Sequence, residues 1–368
     1  MKNKIHKYDF LIVGAGLIGT LTALALQKKN FKVLVIENKN KIPIDKRTLA
    51  VNANSKDFLQ QLGIWKILKS KPQPINKIII KDYINAEPLI FTNSKEAMGN
   101  VIFNSDLLKI TLAKLESLKL LKKNINLNID QILPGKTILI DKEKYQFKKI
   151  ILGVGKNIIS NPLFKSMTFD KGHYSYVGFF KHNKNHRSTA YEIFNQDGPL
   201  AVLPTPYIDN KKSTFIFSTR KKLSFYYLQS LIRKNFANSH GQIKMDKSIY
   251  KFPIRPHLQR NNKNFIFIGD SLKSIHPVAG QGWNLGVKDI QTLCNLTDQY
   301  PLDFQGFNSI YYSKRIVEST LYLSFTSILN SLYENKKMIN QGIIKFGYES
   351  LRLLKPLREL FIKNAMGR

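Results

Sequence analysis

Short, almost continuous apolar runs at residues 8–13, 31–36, 149–152 and 265–268 have the pattern of strands buried on both faces. Each is followed at once by a glycine or an acidic residue. Between the first two, Leu21, Leu24 and Ala25 fall at helical spacing within residues 20–29. Strand, turn, helix and strand are therefore predicted over residues 8–36. A different pattern fills residues 73–99 and 166–254. There apolar and polar residues alternate, as in Ser213-Thr214-Phe215-Ile216-Phe217, and antiparallel strands are predicted. From about residue 300 the spacing becomes helical. The chain reads as α/β. Residues 1–72, 100–165 and 255–300 form a discontinuous Rossmann-like nucleotide domain. Residues 73–99 and 166–254 form an inserted antiparallel sheet that carries a substrate pocket, and residues 301–368 form a helical region packed on the nucleotide domain.

The turn after the first strand is Gly14-Ala15-Gly16-Leu17-Ile18-Gly19, the dinucleotide fingerprint between a strand and a helix. Gly14 allows the tight turn, Gly16 lets the backbone approach a pyrophosphate, and Gly19 lets the helix pack close to the strand. The helix opening at Leu17 and Ile18 offers free N–H groups and a partial positive charge. Glu37, beside Asn38 at the end of the second strand, suits a ribose diol because an ionised carboxylate only accepts. Arg47 is expected to open a helix and reach a cofactor phosphate or ribose.

A second such turn lies far along the chain, in residues 265–290. Asp270 at a strand end suits a cofactor hydroxyl. Gly280, Gly282 and Gly286, with Gln281 among them, let backbone pass close to a flat ligand. Asn284 and Leu285 are expected in the first turn of the following helix, where N–H groups face the ligand's electron-rich edge. One cofactor spans both turns.

Composition changes this picture little. At 43% hydrophobic, 368 residues can bury a sizeable core. The single cysteine, Cys294, excludes an intramolecular disulfide and a Cys-rich metal site, and no metal is expected. Its apolar neighbours at 290, 293 and 296 predict a buried core thiol. The net charge of +33 is spread along the chain, without the basic block between aromatics that a nucleic-acid site would have. No nucleic-acid partner is expected. The charge reads as compositional habit or as attraction to an anionic membrane surface. Leu353, Leu354, Leu357, Leu360 and Phe361 share one helical face, with basic residues elsewhere. Residues 10–27 are uncharged, but their glycines favour strand, turn and helix over a signal or membrane span. A cytoplasmic protein is expected, in one reading peripheral on the inner membrane.

Gly269-Asp270, His276-Pro277-Val278-Ala279-Gly280-Gln281-Gly282-Trp283-Asn284-Leu285-Gly286 and Asp289 closely resemble the FAD-dependent hydroxylases of ubiquinone biosynthesis, aromatic monooxygenases of the para-hydroxybenzoate hydroxylase (GR2) type. Asp45-x-Arg47, the segment 198–204, Phe252-Pro253 and the C-terminal segment 354–367 extend the likeness over nearly the whole chain. The resemblance implies FAD as cofactor, NADPH or NADH as reductant, and O2 as co-substrate. It implies a flavin C4a-hydroperoxide that hydroxylates a polyprenylated phenol, a possible place in a complex of ubiquinone-biosynthesis proteins, and His276 and Pro277 near the reacting flavin face. Non-catalytic flavoproteins and hydroxylases of soluble aromatics are the alternatives.

Three positions depart from the family. Gly153-Val154-Gly155 lacks the aspartate of the usual Ala-Asp-Gly motif, which bears on the reductant site. Lys273 replaces a histidine, and Phe103-Asn104 replaces Glu-Asn.

Overall fold

The computed structural model of the chain describes residues 5–43, 47–85, 87–93, 95–169, 172–206, 210–276, 280–334 and 338–367. Asp45 and Pro277 lie outside these, as does the side chain of Phe361.

The apolar runs assemble into one parallel sheet. Its spatial order is Phe265–Phe267, Glu143–Leu152, Ile5–Val13, Val33–Ile36 and Leu121–Lys122, with Thr137–Ile140 antiparallel to Glu143–Leu152. Leu11 sits between Ile150 and Leu34 in register, and Ile150 pairs with Phe265 on its other side. These residues are buried in one core with Leu21, Leu24 and Ile290 of helical segments and with Ile158 and Phe164 of the segment after residue 152, which explains why the runs do not alternate. The helices are α1 (Leu17–Lys28), α2 (Ala53–Gln61), α3 (Asn104–Ser117), α4 (Phe225–His240), α5 (Gly282–Gln299), α6 (Phe307–Glu334), α7 (Met338–Leu353) and α8 (Lys355–Met366). Cys294 is only partly buried at the edge of this core, and burial pushes its thiol up to about 11.

The alternating segments form a second sheet. Its order is Ile243–Met245, Tyr174–His182, Lys212–Thr219, Gly198–Pro204, Thr189–Asn195, Lys77–Asp82 and Leu89–Thr92. It is antiparallel except where Thr189–Asn195 lies parallel to Lys77–Asp82. That exception arises because Lys77–Asp82 reaches the sheet from a separate, earlier part of the chain, so no hairpin imposes its direction. The helix α4 covers one face of this sheet with Leu228, Ile232 and Phe236.

The C-terminal helices divide between the two sheets. In α6, Tyr311 Oη donates to the Phe267 carbonyl at 3.0 Å, on the parallel sheet. Farther along, Tyr333 stacks on Phe194 at 4.2 Å, and Tyr348 of α7 bonds the Ile80 and Glu87 carbonyls. Ile362 and Met366 of α8 pack near Leu89 and Phe91. The end of the chain therefore rests on the inserted sheet as well as on the nucleotide domain, where Ala53 of α2 joins Tyr348 and Met366 and the Gly367 Cβ position lies 2.5 Å from Asn52 Nδ2.

In the turn at residues 182–187 both histidines are buried. His182, His186 and His240, at the end of α4, are each under 6% exposed, and the His182 and His240 rings lie 4.6 Å apart, edge to face. His182 Nδ1 and Nε2 lie 2.6 Å from the Lys184 carbonyl and 3.0 Å from Ser213 Oγ. Burial, then His182 and His186, push His240 down to about 3. An unfolded chain binds that proton near pH 6.5, so the folded state is favoured fully above 6.5 and loses ground as pH falls toward 3. The expected slope for this group is about 1.4 kcal/mol per pH unit. Urea midpoints between pH 7.5 and 5 should fall in the natural chain and fall less in His240→Phe. Equal slopes in the two would contradict the burial of a neutral imidazole.

Candidate functional site

The two glycine turns meet at a cleft of about 860 Å3 between the ends of the parallel strands and the inserted sheet. The first strand ends at Gly14, whose φ is +106° and whose absent Cβ would stand 2.6 Å from the Gly153 carbonyl oxygen. Gly16 caps α1 with no side-chain bond to its free N–H groups, and a Cβ there would enter open space. Gly14, Gly16, Leu17 and Ile18 line the cleft. Gly19 does not. It is the point where α1 crosses the turn, with its Cβ position 2.1 Å from the Gly14 carbonyl oxygen. Glu37 and Asn38 also line the cleft. Glu37 Oε2 accepts from the Ala15 N–H at 2.9 Å and Oε1 from the Lys39 N–H at 3.2 Å, which leaves lone pairs for a diol.

On the other side, Gly269 turns the chain at φ +56°, and Asp270 faces the cleft with its side chain exposed. Gly280 and Gly282 line it where α5 begins, again without a side-chain cap. Gly286 does not touch the cleft. Its Cβ position lies 2.7 Å from Ile18 Cδ1, and Gly269 meets the same side chain at 3.0 Å. Ile18 thus locks one turn against the other, and Gly286 makes room for a side chain rather than a ligand.

Several residues act behind the wall. Gln281 caps α5, and Leu285 is buried near Leu258, Ile275 and Leu323. Asn284 is buried too. Its Oδ1 accepts from the Asn52 N–H at 3.1 Å and its Nδ2 donates to the Ala50 carbonyl at 2.9 Å, holding the strand Thr48–Val51 to α5. His276, expected at the flavin face, is not among the lining residues. It is 4% exposed, its Nε2 is 3.2 Å from Asn330 Nδ2 of α6, and its ring meets His173 edge to face at 5.5 Å. Its place is in the joint between the turn and α6.

Arg47 lines the cleft, but it precedes a strand and not a helix. The pairing of Thr48 with Phe103 explains the difference, since tertiary strand contacts override local propensity. Its guanidinium lies 4.7 Å from the Phe252 ring centroid. The altered positions also find places. Asn104 opens α3 and lines the cleft, as do Gly155, at φ +66°, and Lys156. Lys273 stays outside the cleft. It is buried with its Nζ 2.6 Å from Asp289 Oδ1, while Arg315 Nε reaches the same oxygen at 2.7 Å and the Gly269 N–H donates to Oδ2 at 2.9 Å. Burial pulls the Lys273 pKa down, and Asp289 opposes it.

From the inserted sheet, Ser175, Val177, Leu203 and Ile216 close the cleft. The alternation marked them only as one face of a strand, with no sign of which face met the cofactor side.

Known proteins place this geometry. Residues 7–120 match the family model described as FAD binding domain. A ubiquinone hydroxylase, UbiL, of Rhodospirillum rubrum is 25% identical over 98% of this chain and 89% of its own length. The 3-demethoxyubiquinol 3-hydroxylase of Escherichia coli is 25% identical over 91% of this chain and 94% of its own. Among solved structures, the flavin-dependent brominase Bmp2 superposes with a TM-score of 0.75 at 13% identity, covering 98% of this chain and 94% of that one. The probable FAD-dependent monooxygenase PqsL of Pseudomonas aeruginosa gives 0.70 at 14%, covering 90% and 97%. These two show a shared fold.

Proposed function

We infer that the chain, an FAD-dependent monooxygenase of the ubiquinone-hydroxylase family, hydroxylates the ring of a polyprenylated phenol. The observation that carries this reading is the meeting of two glycine turns and two carboxylates, Glu37 and Asp270, at one cleft roofed by an apolar sheet face. The cleft fits a dinucleotide: Gly16 leaves open space where a Cβ would stand, and two uncapped helix starts offer N–H groups. Glu37 and Asp270 would hold hydroxyls, and α1 and Arg47 the phosphates.

When bound, FAD takes two electrons from NAD(P)H and activates O2, so that one oxygen atom enters the phenol ring and the other leaves as water. The chain's own part is positioning and shielding. Val177, Leu203 and Ile216 present an apolar wall that excludes water and suits a ring bearing a long hydrocarbon. The N-terminal end of α5 supplies a positive dipole beside the ring system. Lys273 in place of the family's histidine lies outside the cleft and is neutralised by Asp289, so this departure leaves the lining intact.

The test is anaerobic. Purified protein should carry FAD that bleaches with NADPH or NADH, and it should restore ubiquinone in a strain lacking a ring hydroxylase. Protein that holds no FAD after reconstitution would overturn the reading.

A substrate with a prenyl tail resides in a bilayer, and the C-terminal helices suit that surface. No helix among the described residues is long and apolar enough to cross a membrane. Yet Leu321 and Phe325 of α6, Phe346 (77% exposed) and Leu353 (74%) of α7, and Leu360 of α8 stand exposed. Exposed Lys345, Arg352, Lys355 and Lys363 lie among them. Apolar side chains mixed with cations favour an anionic bilayer. The protein should sediment with anionic liposomes at low salt, and Phe346→Ser with Leu353→Ser should remain in the supernatant. Sedimentation unchanged by both substitutions would place the contact elsewhere.

A further inference from the structure

We propose that a second cavity, about 470 Å3 beside the FAD cleft, binds the pyridine dinucleotide that reduces the flavin. The proposal rests on the monooxygenase reading above and adds the site of its reductant. The cavity is lined by Phe103, Ser105, Phe179, Lys212, Asp246, Lys247, Ser248 and Tyr250.

Its position comes from three elements that pass from the cleft into the cavity. Along the strand Tyr174–His182, Ser175 and Val177 line the cleft, and Phe179, next on the same face, lines the cavity. Along Tyr250–Pro253, Phe252 lines the cleft and Tyr250 the cavity, with their rings stacked at 6.4 Å. At the start of α3, Asn104 lines the cleft and Ser105 the cavity. A ligand in the cavity therefore lies next to one in the cleft, under the same sheet face. The Phe252 ring, which carries the Arg47 guanidinium, stands at the boundary.

Its chemistry suits flat rings and phosphates together. Phe103, Phe179 and Tyr250 offer aromatic faces. Lys247 is exposed, and the Lys212 ammonium lies 5.2 Å from the Phe179 ring centroid. The Asp246 carboxylate also lines the cavity, but it is paired with Lys212 at 2.9 Å, so Lys247 is the cation left to attract an anion there. Ser105 and Ser248 add hydroxyl donors. A prenyl chain would use only the aromatic faces, whereas a nicotinamide or adenine ring with its pyrophosphate uses each kind.

The experiment titrates the FAD-loaded full chain with NADPH and with NADH, follows binding by calorimetry, and measures anaerobic flavin bleaching. Lys247→Glu and Tyr250→Ala are compared with the natural chain, and Lys247→Arg serves as the conservative control. Lys247 and Tyr250 lie on the surface and outside the FAD cleft, so FAD content and Tm should hold. The expected result is a Kd for the dinucleotide raised at least tenfold in Lys247→Glu and Tyr250→Ala, near-natural binding in Lys247→Arg, and a bleaching rate at saturation that changes little. Unchanged Kd values in both variants, with the natural chain binding and bleaching, would overturn the cavity assignment and leave the monooxygenase reading standing. If Lys247→Glu loses inorganic phosphate binding but keeps the dinucleotide, the cavity is a phosphate site and the proposal fails. A natural chain that carries FAD but neither binds nor oxidises a dinucleotide removes the monooxygenase reading itself, and this proposal with it.

Discussion

Asp289→Asn is expected to destabilise the protein by about 3–5 kcal/mol, the cost of stripping a buried ion pair of one partner. Asp289 is fully buried and serves three donors: Lys273 Nζ, Arg315 Nε and the backbone N–H of Gly269. An amide in its place leaves Arg315 ionised, since a guanidinium keeps its proton in proteins and Glu318 still pairs with it. Lys273 would then lie in a dry site without its carboxylate, beside a guanidinium whose remaining carboxylate partner is Glu318. The amide has a single acceptor oxygen, so the Gly269 N–H, in the turn that aims Asp270 at the cleft, would compete for it with Lys273 and Arg315. Urea denaturation measures the loss, and FAD retention measures the loosened turn. Adding Lys273→Met should recover part of the stability by removing one of the stranded cations. Additive effects of the two substitutions would show that the pair is not coupled.

Gly19→Ala should weaken FAD binding more than any change to a residue lining the cleft. The new Cβ would stand 2.1 Å from the Gly14 carbonyl oxygen. The opposing atom is backbone, and it has little room to yield. Gly14 is already held at φ +106° with Gly153 pressed behind it. The helix α1 would have to lift from the sheet, although its own Leu21, Leu24 and Leu26 are buried in the core. Overpacking of this kind costs about 1–3 kcal/mol. The larger effect is on the cofactor, because the N–H groups of α1 move away from the phosphates they serve. Reconstitution with FAD should show at least a tenfold rise in Kd, with a lowered Tm. A variant that keeps both values would contradict the close approach of α1 to its turn.

The cofactor half of the site was legible because its chemistry is local. Gly14 to Gly19 are contiguous, and a strand, a tight turn and a helix start follow from their spacing. Asp270, Gly280 and Gly282 were legible by the same logic. Arg47 was placed in a helix, because the segment 45–51 carries no mark of the strand at residues 99–103 with which it pairs. His276 was drawn to the flavin face by its motif, but Asn330, 54 positions later, holds it. The buried trio His182, His186 and His240 gave no sign in the sequence, since burial of the first two depends on where α4 ends.

Sequence alone determined the α/β class, the two glycine turns and the carboxylates at the strand ends. Those features depend on dihedral angles and hydrogen-bonding groups within a few residues of each other. Tertiary structure decided which glycines face a ligand and which make room for Ile18. It also decided that Lys273 is matched by Asp289 and Arg315, that α7 and α8 rest on the inserted sheet, and that a second cavity adjoins the first. Each of these is a contact between distant segments. Its energy comes from packing and from ion pairing in a dry interior, which exist only once the sheets and helices have met.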